Sequence, residues 1–217
     1  MTPRTAPAAR RAPDKRRAIL TGALVLFARD GYTRASVDAI AAEAGVSTRT
    51  LYNHFGDKAG LFQEVITASS AEVAERHLAI IDRHLTKIVD LEEDLVEFGV
   101  EWANKVSADL ALHWGLVRQI NAEVEHIPEP ALEAWKDAGP RRVRRALAAR
   151  LSALAERLPV AFPDAELAAR HLMLLVSPDN LPDPPPGDGD DTDAVLERTV
   201  RAGVRVFLHG YGEATTR

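Results

Sequence analysis

Ten consecutive residues, Val46–Phe55 (VSTRTLYNHF), carry three hydroxyls, a guanidinium, a phenol, an amide and an imidazole. These groups can bond phosphate oxygens and the donor and acceptor edges of base pairs. A catalytic reading has less to stand on. The chain holds no Ser/His/Asp order, no His-x-x-x-His and no phosphate-binding glycine loop. Cysteine is absent, which removes disulfides, thiolate nucleophiles and cysteine-ligated metals and fits a reducing, cytoplasmic compartment. No cofactor or metal is expected.

The charge distribution agrees with a polyanion partner for one end of the chain. Up to Lys58 there are ten Lys/Arg against five Asp/Glu, and beyond it 17 against 27, so a basic first part is joined to an acidic remainder.

These polar residues need elements to position them. At 217 residues and 46% apolar composition the chain can bury a sizeable core. Apolar residues recur at helical spacing almost everywhere. The spacing predicts helices over about 14–29, 36–44, 47–54, 57–84, 90–106, 109–125, 129–138, 140–157, 164–177 and 193–211, with no period-two strand. The fold class is therefore all-α, nine or ten helices in total. The punctuation has physical causes. Gly31 and Gly56 follow helices where a left-handed residue is wanted, and Ser36, Ser47 and Asp57 stand where a side-chain oxygen can accept from a first-turn amide. Gly139 and Pro140 end one helix and open the next.

The run RRAILTGALVLFA, Arg16–Ala28, has the twin arginines of an export signal. It lacks a small-x-small cleavage site and reads instead as an amphipathic first helix. No run is long and apolar enough to span a membrane, and no membrane partner is expected. Residues 1–13 read as a disordered basic arm. Its Arg10 and Arg11, with Lys15, Arg16 and Arg17 beyond it, are candidate minor-groove contacts or solvated charges. Residues 178–193 (PDNLPDPPPGDGDDTD) read as a mobile loop, without the Asp order of a calcium site.

Within Ser36–Phe55, Val37, Ile40, Ala41 and Ala44 share one helical face. Gly45 permits a tight turn, Val46 fills it, and Ser47 caps a second helix whose Leu51 and Phe55 face inward. This is the helix-turn-helix pattern. It distributes Thr48, Arg49, Thr50, Tyr52, Asn53 and His54 over the outer and lateral faces of a segment about 12 Å long, comparable to a major-groove width.

Thr33–Ile66, TRASVDAIAAEAGVSTRTLYNHFGDKAGLFQEVI, closely resembles the DNA-binding domain of TetR/AcrR-type transcriptional regulators, and the match reaches back to about Asp14. Leu-Tyr-x-His-Phe, a lysine three residues beyond, and Leu-Phe one turn later carry it. Gly60 departs from the pattern, since a better helix former is usual there. The resemblance implies that Ser36 caps the second helix and touches a phosphate. It implies that Ser47, Thr48, Arg49 and Thr50 enter the major groove, with Arg49 on guanine, whose O6 and N7 fit its fork. Tyr52, His54 and Lys58 would bind phosphates; the alternative for Tyr52 and His54 is internal packing.

The resemblance divides the chain into the arm (1–13), a DNA-binding domain (14–66, motif 36–55) and a helical effector-binding and dimerisation domain (67–217). Looser matches are AGPRRVRRALAARL, Ala138–Leu151, and RAGVRVFLHGYG, Arg201–Gly212. Independently, Leu172 and Leu175 lie in a helix that is apolar almost all round. Leu196, Val200, Val204, Phe207, Leu208 and Tyr211 form one stripe of the last helix. Together they are candidates for a four-helix dimer interface, or else complete the protomer's core. Candidate contacts to a hydrophobic small-molecule effector are Trp102, His113, Trp114, Arg118, Asn121 and His171. The basic run Arg141, Arg142, Arg144 and Arg145 reads as a solvated helix face, because Val143, Leu147, Leu151 and Leu154 make the buried line.

The expected protein is a homodimeric regulator of transcription, a repressor released from a palindromic double-stranded DNA operator by a small ligand. An effector-independent activator or architectural DNA-binding protein differs only in the C-terminal part, and a small helical enzyme is the remaining alternative.

Overall fold

The computed structural model describes residues 12–103, 108–177 and 192–211. Most of the expected basic arm, with Arg10 and Arg11, and nearly all of the expected loop at 178–193 lie outside the described residues. Ten α-helices account for most of what is described: α1 Ala12–Arg34, α2 Val37–Glu43, α3 Thr48–Phe55, α4 Lys58–Leu85, α5 Leu91–Ala103, α6 Ala108–Ala122, α7 Glu129–Ala138, α8 Pro140–Ala155, α9 Ala165–Leu175 and α10 Thr192–Tyr211. A 3-10 turn, Val124–His126, precedes α7. Among the described residues no β-strand forms and no helix is long and apolar enough to cross a membrane.

The residues sort into two compact units. The first joins the chain up to Ser70 with Ala108–Trp135, and the second joins Ala71–Ser107 with Lys136–Arg217. Compactness groups residues by contact and assigns them no function.

In the first unit α1 is the hub, packing on α2, α3 and α6. Ile19, Ala23, Leu26 and Phe27 of α1 meet Ile40 and Ala41 of α2, Leu51 and Phe55 of α3 and Leu61, Phe62, Val65 and Ile66 of α4. Phe27 and Phe62 meet edge to face at 4.8 Å, a geometry that sets a ring edge against a ring face. From the middle of the chain, α6 adds Leu116 and Ile120, and the segment beyond it adds Ile127, Ala131 and Leu132.

In the second unit the buried line of α8, Val143, Leu147, Leu151 and Leu154, packs with α4, α5, α9 and α10. Here one expectation is corrected. Leu172, Val200 and Val204 are fully buried and Phe207 is 1% exposed within this single chain, so four of the eight residues expected at a dimer interface belong to the protomer's own core. The cause is the close contact of α10 with α5, which sets Val200 against Gly99. Leu175, Leu196, Leu208 and Tyr211 pack beside that core, half-buried. The apolar residues that α9 and α10 leave in water lie elsewhere on the same helices, at Leu167 (43%), Leu174 (57%) and Val206 (60%).

Three of the four arginines in the basic run of α8, and Arg150 further along the helix, are engaged in ion pairs. Arg141 pairs with Asp137, Arg142 with Glu75, Arg144 with Glu166 and Arg150 with Asp82, at 2.5–3.1 Å.

Candidate nucleic-acid interface

The helix-turn-helix is assembled by caps and one tight turn. Ser36 Oγ accepts from the Ala39 amide at 3.0 Å and starts α2. The turn that follows is closed by the Gly45 amide donating to Ala42 O (3.1 Å) and the Val46 amide to Ala41 O (2.9 Å). Ser47 Oγ then accepts from the Thr50 amide at 3.2 Å and caps α3. Each cap satisfies a backbone donor that the first helical turn would otherwise leave open.

Leu51 (fully buried) and Phe55 (8% exposed) fasten α3 to the core. The Arg16 guanidinium lies over the Phe55 ring at 5.4 Å and pairs with Glu64. Arg16 therefore ties α1 to α3 and α4, which is a more local task than the minor-groove contact it was a candidate for. Arg17 and Lys15 remain at the surface or near it.

The polar side chains of α3 and its cap fall into three groups. Ser47 and Thr50 share a hydrogen bond between their hydroxyls at 2.9 Å, so Thr50 is held to the cap. Thr48 and His54 are half-buried, and the His54 ring sits beside Phe55 at 6.1 Å. Arg49, Tyr52 and Asn53 are exposed, Tyr52 at 48%. None of these three side chains has a hydrogen bond or ion pair to another described residue.

Lys58 opens α4 at the edge of this surface. Its Nζ donates to Thr33 O at 3.1 Å and lies 5.1 Å from the Tyr32 ring centroid. Burial lowers the pKa of the ammonium, and the Glu123 carboxylate acts in the opposite direction. One donor is thus engaged with the C-terminal end of α1, while two remain.

Gly60, the departure from the family pattern, has a steric reason. A Cβ there would lie 2.5 Å from Phe55 O, and the Gly60 amide donates to Asp57 Oδ1 at 2.7 Å. The α3–α4 turn is so tight that a better helix former does not fit.

Two residues that sequence reasoning did not single out brace the same region. Glu123 Oε2 accepts from the Thr33 amide at 2.9 Å, and Gln119 Nε2 donates to Arg29 O at 3.3 Å, so the end of α6 grips the last turns of α1. Gly31 sits in that grip at φ 81, ψ 178, and a Cβ there would lie 2.6 Å from Glu123 Oε1. Ninety residues separate Glu123 from Thr33, and no local pattern links them.

The candidate effector residues divide between the units. Trp102 is buried in the second, where its ring lies 4.3 Å from His77 and 5.3 Å from Phe98. His171, also in the second, is exposed and bonds the Tyr211 hydroxyl through Nδ1 at 2.8 Å. In the first unit His113 is buried and bonds Ser69 Oγ at 2.9 Å, with the Trp114 ring 5.0 Å away, while Arg118 and Asn121 are exposed. Among the six, the rings of His113 and Trp114 lie against one another.

A two-helix, glycine-turned head with unpaired polar groups on its outer helix defines a DNA-binding class of protein. Comparison with known proteins identifies the family. Residues 19–65 match the model of bacterial regulatory proteins of the tetR family, and residues 93–213 match that of the C-terminal domain of AefR-like transcriptional repressors. The chain belongs to the TetR family, whose members are DNA-binding transcriptional regulators and not enzymes.

The HTH-type transcriptional regulator AcrR of Shigella flexneri is 39% identical over 67 residues, a match spanning 31% of this chain and 31% of that protein. A TetR-family transcriptional regulator from Mesorhizobium loti has a similar structure, with TM-score 0.71, 27% identity and coverage of 94% of this chain and all of that one. The flavonoid-responsive regulator FrrA is similar too, at TM-score 0.70, 26% identity and the same coverage of both chains.

Proposed function

We propose that this protein is a repressor that binds a palindromic operator as a homodimer and is released by a small, mainly apolar ligand. The observation that carries the reading is the outer face of α3, where Arg49, Tyr52 and Asn53 stand exposed and unpartnered on a helix anchored by Leu51 and Phe55. Buried polar groups find partners inside a protein, whereas groups held ready for DNA are left open to it.

In this reading Thr48, Arg49 and Thr50 meet base edges, and Ser36, Ser47, Tyr52, His54 and Lys58 meet phosphates. Residues 14–66 act as the DNA-binding domain and the remainder receives the effector and dimerises. The dimer contact uses the exposed apolar face of α9 and α10 around Leu167, Leu174 and Val206. An apolar ligand is supported by the aromatic cluster of Trp102, His77 and Phe98 and by the flavonoid response named for FrrA. The mechanism is a population shift, in which the ligand binds the DNA-incompetent state better than the competent one.

Selection of bound DNA from a random pool tests the reading. Enrichment of an inverted repeat, with half-sites one helical turn or a multiple apart, is expected. Failure to enrich any sequence, by a protein that is folded and dimeric, overturns it. Leu174→Arg is expected to give a folded monomer by light scattering, and a persistent dimer moves the interface elsewhere.

A further inference from the structure

We propose that Asn53 is a specificity-determining residue that reads adenine, working as a pair with Arg49 on guanine; the inference rests on α3 entering the major groove. At 3.6 residues per turn, taking the Leu51/Phe55 direction as the buried side, Arg49 and Asn53 point roughly 140° and 180° away from it. Tyr52 and His54 lie only about 80° away, on the two flanks. Thr50 turns outward as well, but its hydroxyl is bonded to Ser47. The two side chains aimed most directly away from the core are therefore Arg49 and Asn53.

Both are exposed, and neither side chain has a hydrogen bond or ion pair to another described residue. The chemistry of each fits one purine. An amide side chain accepts from adenine N6 and donates to N7 at once, and a guanidinium donates to both O6 and N7 of guanine. A phosphate would need only the donor half of the amide, and Tyr52 at the flank is better placed for a backbone.

Spacing adds a geometric requirement. Four residues of helix advance about 6 Å, roughly one to two base-pair steps at about 3.4 Å each. Each half-site is thus expected to hold a G·C pair and an A·T pair one to two steps apart, the first read by Arg49 and the second by Asn53.

The test is selection from a random DNA pool with the wild-type full-length chain and with Asn53→Ala, Asn53→Gln and Arg49→Ala, with thermal melting alongside. Asn53→Ala is expected to flatten the preference for A·T at one position of each half-site by roughly 5- to 150-fold, the equivalent of one good bidentate contact. The other positions and the melting temperature stay unchanged. Asn53→Gln, which keeps the same donor and acceptor, is expected to retain the adenine preference. A consensus unchanged in Asn53→Ala, or a uniform loss at all positions, overturns the proposal while leaving DNA recognition by α3 intact. No consensus from the wild-type chain overturns both.

Discussion

The outer faces of α3 and α8 both present arginine to solvent, and they differ in what the arginines hold. On α8, Arg141, Arg142, Arg144 and Arg150 each grip a carboxylate on another helix. On α3, Arg49 grips nothing among the described residues and has the exposed Tyr52 and Asn53 beside it. Basic residue type alone would rank α8 as the stronger polyanion surface, with Arg141, Arg142, Arg144 and Arg145 in five residues, but three of those four are paired. Availability reverses the ranking. A paired guanidinium must give up its carboxylate before it can neutralise a phosphate.

The contrast can be broken most severely at the base of α3. Leu51→Ala removes a fully buried anchor and should lower stability by about 2–5 kcal/mol in denaturation, taking DNA binding with it. A stable variant that still binds would mean that α3 does not depend on this anchor.

Arg49→Ala comes next. It is expected to cost about 1–3 kcal/mol at a single base pair of the operator with no change in melting temperature. Retention of the wild-type base preference would remove Arg49 from the reading set and erase the contrast with α8.

Lys58→Ala sharpens the comparison, because Lys58 is partly engaged and partly free. Binding should weaken uniformly across sequences, and the slope of log affinity against log salt should fall by about one unit. A wild-type slope with a lower melting temperature would assign Lys58 wholly to the Thr33 carbonyl. The smallest effect is expected on α8. Arg144→Ala breaks an exposed pair with Glu166 and should change stability by no more than about 1 kcal/mol. Operator affinity and salt slope should not move, and a reduced slope would make α8 a second DNA surface.

Much of this architecture is legible in the sequence. Helix starts at Ser36, Ser47 and Asp57, and the break at Gly139–Pro140, rest on local chemistry, so the expected spans lie within a few residues of those observed. The helix-turn-helix, too, is a local pattern. What escaped depends on distant partners. The stripe of α10 is apolar in sequence, but only its contact with α5 tells that Val200, Val204 and Phe207 face inward. Helix propensity makes Gly60 a weakness, whereas the Phe55 carbonyl makes it a requirement. The roles of Gln119 and Glu123 could not be read from spacing, because their partners lie 90 residues earlier.

That grip of α6 bears on how such regulators can be rebuilt. Reading heads invite transplantation, and a cut after Ile66 looks natural from sequence. Here such a graft would leave behind Leu116, Ile120, Ile127 and Leu132, and expose the apolar surface of α1 that α6 covers. It would also lose the carboxylate that holds the Thr33 amide. The portable part of this protein is two pieces of chain, the first about seventy residues and Ala108–Trp135, and a chimera that moves only the first carries an unfinished core.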